Sequence, residues 1–417
     1  MVTQTYKNVD NVAWEKTPLA GMASRSKPKV LFVGTVDVDL RLDLMKRLEC
    51  DFDISAAGSN PDLADRFRAA GFKYHIYSLN RRVNPAMDLY SMSQLVSLFR
   101  KEKPDIVHTF SAKPCALARQ AARLARVPVV IGTLTGLSSL YASETFSVRL
   151  VRSIYEPLQK VACYLSELTI FQNHDDWNHY TGIGIVSKEK SVVIPGSGVP
   201  VDKFNPAAIS PKDKQNLRSE LGIKPDEFVV TLVTRVIRTK GVIEFMEAAK
   251  IMKEHFPKVR FLLVGPNDTD TMNSLNPDEI SELERSVIWP GPRRDIPMVL
   301  AISDLFAYPS THMEGIPRVL LEAASMGLPI ITTDSPGCND VVQPGVNGFF
   351  VPAEEPEMLS DLIAKLIAQP ELRNQFAKAS RQCAVERFDL SIIAEQICDI
   401  YMHHLAHKNQ VAVAPSI

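Results

Sequence analysis

The cysteines of this chain come without a single CxxC pair. Cys50, Cys115, Cys163, Cys338, Cys383 and Cys398 stand far apart, which argues against a zinc ribbon or a disulfide scaffold and fits a reducing compartment. No window approaches the ~18 uninterrupted apolar residues of a spanning helix, and the first 27 residues, charged throughout, lack the apolar stretch of a signal peptide. Charge of one sign is missing too. Lys plus Arg number 47 against 48 for Asp plus Glu, a net charge of −1, so there is no bulk basic footprint for nucleic acid. No GxGxxG closes the first apolar run, where the text reads Gly34-Thr35-Val36-Asp37-Val38-Asp39; this disfavours a dinucleotide-dependent oxidoreductase. The expectation left is a soluble, intracellular protein.

At 417 residues with 45% apolar composition, the chain has material for two domains. Residues 1–27 are polar and aperiodic and read as a flexible tail. From Lys29 onward, short apolar runs alternate with helical stretches: KVLFVG, FDISAAG, KYHIYSL, DIVHTF, VPVVIGTL, LTIFQN and SVVIPG. Continuous apolar strands separated by helices are what a parallel sheet covered on both faces requires. Residues 200–227, rich in Pro, Asp, Lys and Asn, read as a linker. The alternation then restarts with FVVTLVTR, VRFLLVG, SVIWPG, DLFAYPS, LPIITTD and NGFFVP. This predicts an α/β protein of two doubly wound domains, residues 28–199 and 228–387, with ligands at the carboxyl ends of the strands. A terminal amphipathic helix spans 388–408.

Two motifs can carry chemistry. In His312-Met313-Glu314-Gly315-Ile316-Pro317-Arg318-Val319-Leu320-Leu321-Glu322, a strand is followed at once by a helix start. Pro317 suits a first helical turn, and Gly315 lets backbone approach a ligand. The free N–H groups of Gly315, Ile316 and Arg318 form an anion site. Glu322 lies one to two turns further on, so two carboxylates can meet hydroxyls on either side of a phosphate. That is the layout of a nucleotide-sugar, although a capped surface helix with two solvated glutamates fits the motif alone. The second motif, Arg235-Val236-Ile237-Arg238-Thr239-Lys240-Gly241, sets a guanidinium and an ammonium at a strand end, a common pair for phosphate oxygens; a solvated basic turn is the other reading.

The segments TRVIRTKG, FLLVGPND, GPRRDIPMVL, DLFAYPSTHMEGIPRVLLEAASMGLPIITTDSPGCNDVV and GVNGFFVP resemble the carboxyl-terminal domain of family 4 retaining glycosyltransferases. The resemblance implies the GT-B fold: two Rossmann-like domains facing across a cleft, the terminal helix returning to the first. It also implies a UDP-sugar donor and no metal cofactor, with cationic side chains stabilising the departing diphosphate. By this likeness Glu314, Arg235 and Lys240 are the catalytic set. Gly34, Thr35, Gly265, Pro266, Arg293, Gly315, Ile316, Pro317, Arg318 and Glu322 bind the nucleotide-sugar, Glu322 on the ribose and Gly265, Pro266 and Arg293 around the base. The leaving phosphate takes the acceptor proton.

DIVHTFSAKP and VIGTLTGLSSLY resemble the subgroup that extends lipid-diphosphate-linked sugars for surface polysaccharides. This places His108, Lys113, Thr135 and Gly136 on the acceptor side. Many members have a histidine where this chain has Leu134-Thr135, so that role does not transfer; His108 is a nearby substitute, and a hydrogen-bonded structural histidine is the alternative. Asn173, Asp175 and Asp176 follow a strand, the aspartates as expected helix caps. Residues 146–160 mix Phe146, Leu150, Val151, Ile154 and Leu158 with Arg149, Arg152 and Lys160. Glu156 and Pro157 interrupt this stripe, which fits either a core-facing helix or contact with the inner face of the plasma membrane. The expected partners are a nucleotide-sugar and a glycan or lipid-linked glycan, with no nucleic acid. A small soluble acceptor, a UDP-sugar epimerase and a non-catalytic nucleotide-sugar sensor are the competing readings.

Overall fold

The computed structural model describes residues 26–80, 84–137, 141, 145–269 and 271–413. Most of the tail read at 1–27, and Ser138–Leu140 of the VIGTLTGLSSLY segment, lie outside the described residues. The chain divides into two compact units, Met1–Pro195 with Ser391–Ile417, and Gly196–Leu390.

In the first unit seven parallel strands stand in the order β3-β2-β1-β4-β5-β6-β7. They are β1 (Lys29–Val33), β2 (Asp53–Gly58), β3 (Lys73–Ile76), β4 (Ile106–Phe110), β5 (Val129–Leu134), β6 (Leu168–Phe171) and β7 (Ser191–Val193). The central strands β4, β5 and β6 are buried at every residue, as a sheet covered on both faces demands. The terminal helix Leu390–Val413 packs into this unit through Tyr401, which reaches His108 of β4 and crosses the Phe52 ring edge-on at 5.4 Å.

In the second unit five parallel strands stand in the order β12-β11-β10-β8-β9: β8 (Phe228–Val233), β9 (Val259–Val264), β10 (Leu305–Tyr308), β11 (Ile330–Thr332) and β12 (Gly348–Phe350). The SVIWPG run, expected as a further strand, makes only a single bridge, Leu262 to Ile288; Pro290 and Pro292 have no N–H to extend the ladder.

Three further expectations change. Residues 200–227, read as a linker, fall within the second unit. Ser210 caps a helix, Pro211–Glu220, whose Leu217 is buried in the second core together with Phe204; the Ser-Pro-x-Asp start is a capping signal. Pro157 does not interrupt its segment, because Phe146–Leu165 is one continuous helix. Nor does that stripe face a core: Phe146 and Tyr164 are 84% and 77% exposed, and Leu150, Ile154, Leu158 and Val161 are exposed between them. Finally, Asn173 caps the helix His174–Gly182 by accepting from the Asp176 N–H, while both aspartates lie inside its first turn.

Candidate active site

The second unit builds its polar cluster where β8 and β10 end. After β8 the chain turns through Arg238–Lys240 and enters the helix Val242–His255 at Gly241. Gly241 has φ of +76°, and a Cβ there would stand 2.4 Å from the Pro309 carbonyl oxygen. Only glycine fits, and its smallness brings the turn against the end of β10. The two loops are then stitched together. Ser310 Oγ and the Thr311 N–H both donate to the Thr239 carbonyl, at 3.1 and 3.0 Å.

This stitching sets Lys240 beside Glu314. The Lys240 side chain is only 6% exposed and forms an ion pair with the Glu314 carboxylate, which is 29% exposed. Lys240 Nζ also donates to Tyr308 Oη at 2.8 Å, and that hydroxyl donates to Glu314 Oε1 at 2.7 Å. Burial pushes the Glu314 carboxyl up. The Lys240 charge and the hydrogen bonds from Lys240 and Tyr308 outweigh it and hold the carboxyl below its ordinary value. His312 packs at the same turn, with Nδ1 3.3 Å from Thr239 Oγ1. Burial and then the Lys240 charge lower its pKa to about 4, so the ring is neutral at pH 7.

The other predicted residues of this unit lie around the cluster with partners of their own. Arg235 is 49% exposed and pairs with Asp268; its charge reaches His312. Glu322 is paired one helical turn back with Arg318, Nε to Oε1 at 3.0 Å, in the helix Arg318–Ser325. Pro317 is the residue that caps this helix, rather than its first turn; Gly315, Ile316 and Pro317 are buried along the turn. Gly265 has φ of +153°, and a Cβ would fall 1.7 Å from the Thr234 oxygen; Trp289 Nε1 donates to its carbonyl at 2.9 Å. Pro266 accepts from the Val236 N–H. Arg293 gives its bonds to Asp295 and to Glu220 of the helix Pro211–Glu220, not to the Lys240 cluster.

Sequence reasoning missed two members. Tyr308 was read only as an apolar strand residue. Gly337, in the loop after β11, has φ of +81°, and a Cβ would lie 1.5 Å from the Gly315 oxygen. That loop therefore rests directly on the Glu314–Gly315 turn. The Pro336-Gly337 dipeptide was the available signal.

In the first unit the acceptor-side candidates scatter. His108 is fully buried in the sheet, with Nδ1 2.5 Å from Tyr401 Oη and Nε2 2.7 Å from Thr133 Oγ1. Burial, then the charges of Arg41 and Arg119, lower its pKa to about 3. It has the surroundings of a structural histidine. Lys113 pairs with Asp88 and donates to the Asn80 carbonyl. Thr135 and Gly136, the latter with φ of +131°, follow β5. Gly34 follows β1, and its carbonyl accepts from Tyr77 Oη at 2.7 Å; a Cβ there would meet the Val38 side chain at 2.9 Å. Thr35 Oγ1 donates to Asp37. Among the described residues no group of three His, Cys, Asp or Glu side chains is arranged to hold a metal ion.

Two parallel sheets of this kind, each packed with helices, are the architecture of the GT-B class of sugar-transferring enzyme. Residues 213–383 match the family described as Glycosyl transferases group 1, and residues 29–173 match Glycosyl transferase 4-like. The chain is 31% identical over 384 residues to the UDP-Gal:alpha-D-GlcNAc-diphosphoundecaprenol alpha-1,3-galactosyltransferase of Escherichia coli, spanning 91% of this chain and 96% of that one. It is 28% identical over 347 residues to the N,N'-diacetylbacillosaminyl-diphospho-undecaprenol alpha-1,3-N-acetylgalactosaminyltransferase of Campylobacter jejuni, covering 82% and 88% of the two chains. Among solved structures, HepE of Anabaena in complex with UDP-glucose shares the fold with a TM-score of 0.74 at 22% identity, over 90% of this chain and 99% of that one. The chain belongs to the group 1, family 4-like glycosyltransferases, and it is a hexosyltransferase.

Proposed function

We propose that this enzyme transfers a hexosyl or N-acetylhexosaminyl group from a UDP-sugar, with retention, to a hydroxyl of an undecaprenyl-diphosphate-linked glycan. The reaction serves surface polysaccharide synthesis at the inner face of the plasma membrane. The observation that carries this reading is the buried Lys240 ammonium held against Glu314 at the Glu-x7-Glu turn. Departure of UDP builds negative charge on the diphosphate while the sugar becomes oxocarbenium-like. A cation already in place stabilises that charge without reorganising. Arg235 adds a second cation, and the N–H groups of Gly315, Ile316 and Arg318 add donors. Glu314 orients the donor sugar, Glu322 takes the ribose hydroxyls, and Gly265 and Pro266 border the base. In this reading no metal ion is required, and the leaving phosphate accepts the acceptor's proton.

The lipid-linked acceptor is supported by the names of the two bacterial relatives and by the exposed stripe of the helix Phe146–Leu165, flanked by Arg149 and Lys160. No helix among the described residues is long and apolar enough to cross a membrane, so the reading is surface contact through this stripe. The test is UDP release from UDP-hexoses and UDP-N-acetylhexosamines, with and without a lipid-diphosphate-linked GlcNAc, followed by mass analysis of the lipid. Release stimulated by the lipid acceptor and a one-sugar mass gain are expected. Release stimulated only by a water-soluble sugar would replace the acceptor assignment.

A further inference from the structure

A buried tyrosine hydroxyl bonds to both Lys240 and Glu314. Tyr308 closes β10 with its side chain buried and its ring 5.5 Å from the Lys240 ammonium. A lysine ammonium only donates, an ionised carboxylate only accepts, and a tyrosine hydroxyl has one proton to give. The direction of every bond in the triangle is therefore fixed: Lys240 to Tyr308, Tyr308 to Glu314, and Lys240 to Glu314. Two of the ammonium's three protons are engaged. A third proton remains. A lysine is otherwise a point charge on a flexible stem that swivels to suit its surroundings.

We propose that Tyr308 is a positioning residue for glycosyl transfer: its hydroxyl fixes the Lys240 ammonium against Glu314, so that the remaining N–H meets the donor's diphosphate in one direction. The proposal rests on the donor reading above. Tyr308 touches neither sugar nor phosphate; it acts through Lys240. Negative charge on the diphosphate grows as the sugar departs, so a mis-aimed ammonium is felt in the transition state more than in the bound nucleotide-sugar. Loss of the hydroxyl therefore lowers kcat more than it raises KM for the UDP-sugar. Phenylalanine at this position keeps the ring packing and removes both bonds.

The experiment compares Tyr308→Phe with the wild-type full chain in three readouts. These are kcat and KM for the UDP-sugar, UDP affinity by calorimetry, and exchange of the Lys240 ammonium protons with water by nitrogen-15 NMR. The lysine signal is assigned by its absence in Lys240→Met. The expected result is a fall in kcat of about tenfold or more, the scale of a lost hydrogen bond to a charged group. The KM for the UDP-sugar stays within about threefold, and ammonium exchange speeds up. A variant with wild-type kcat and exchange and only a lower Tm would make Tyr308 a packing residue and overturn the proposal; so would a loss confined to UDP affinity. A wild-type enzyme that turns over no nucleotide-sugar is a separate result. It would remove the donor reading, while the exchange measurement still decides whether the hydroxyl holds the lysine.

Discussion

Each unit buries a basic side chain deep within its fold, and the two are used in opposite ways. In the first unit Arg119 is fully buried, and the bonds of its guanidinium end on neutral groups: the Cys115 carbonyl at 2.6 Å, Thr169 Oγ1 at 2.9 Å, Ser166 Oγ at 3.4 Å and Cys163 Sγ at 3.6 Å. A Cβ on Gly132 would come within 2.9 Å of that guanidinium. Nearby His108 is likewise satisfied on both nitrogens. Those groups knit β4, β5, β6 and the terminal helix together. In the second unit Lys240 is buried at a strand-end turn with a carboxylate and a tyrosine hydroxyl beside it. The lesson is that burial of a charged group does not by itself mark function.

The contrast can be broken by mutation. Lys240→Ala removes the cation from the proposed leaving-group site, and turnover in a UDP-release assay should fall by about 10³-fold or more, with the fold retained by circular dichroism. Near-wild-type turnover would place the two units on equal terms. Gly337→Ala drives a methyl into the Gly315 carbonyl; the Glu314 turn must shift, and kcat/KM should drop by about 10²-fold, more than the melting temperature alone explains. In the first unit Tyr401→Phe leaves the His108 Nδ1 without its partner and should cost about 1–3 kcal/mol in urea unfolding, with turnover per folded molecule unchanged. A loss of turnover there would bring His108 back as an acceptor-side residue.

A smaller effect is the dependence of stability on pH. Burial holds His108 neutral down to about pH 3 in the folded state, against an ordinary value of 6.5. The unfolded chain therefore binds one more proton than the folded one between those values. Stability from this group is complete above pH 6.5 and is lost as the pH falls, at about 1.4 kcal/mol per pH unit. His312 and His404, each lowered to about 4, act with the same sign. His108→Asn should flatten the dependence of the urea midpoint between pH 7 and pH 5 by about one proton's worth. An unchanged slope would mean the ring is not held neutral.

How much of this was legible beforehand follows from the range of each interaction. The strands could be read because a parallel sheet buried on both faces leaves continuous apolar runs. Glu314 and Lys240 could be read because glycine, proline and charge mark their turns locally. The Ser210-Pro211-x-Asp213 cap was equally local and was passed over because the surrounding composition resembled a linker. Pro157 misled because one missing N–H does not break a helix of this length. Tyr308 and Gly337 were hidden for another reason. One looked like any strand residue in DLFAYPS, and the other like any turn glycine. Their importance depends on Lys240, 68 positions from Tyr308, and on the Gly315 carbonyl across the sheet end. His108 was ambiguous because its partner, Tyr401, is 293 residues away.

Titration calorimetry of UDP into the metal-free protein, alongside Lys240→Ala and with uridine as the control ligand, tests the central claim most directly. The account predicts UDP binding without added metal, at least about tenfold weaker in Lys240→Ala, with uridine weak and unchanged between the two proteins. Equal UDP affinity in wild type and variant, or binding that appears only with a divalent cation, would contradict it.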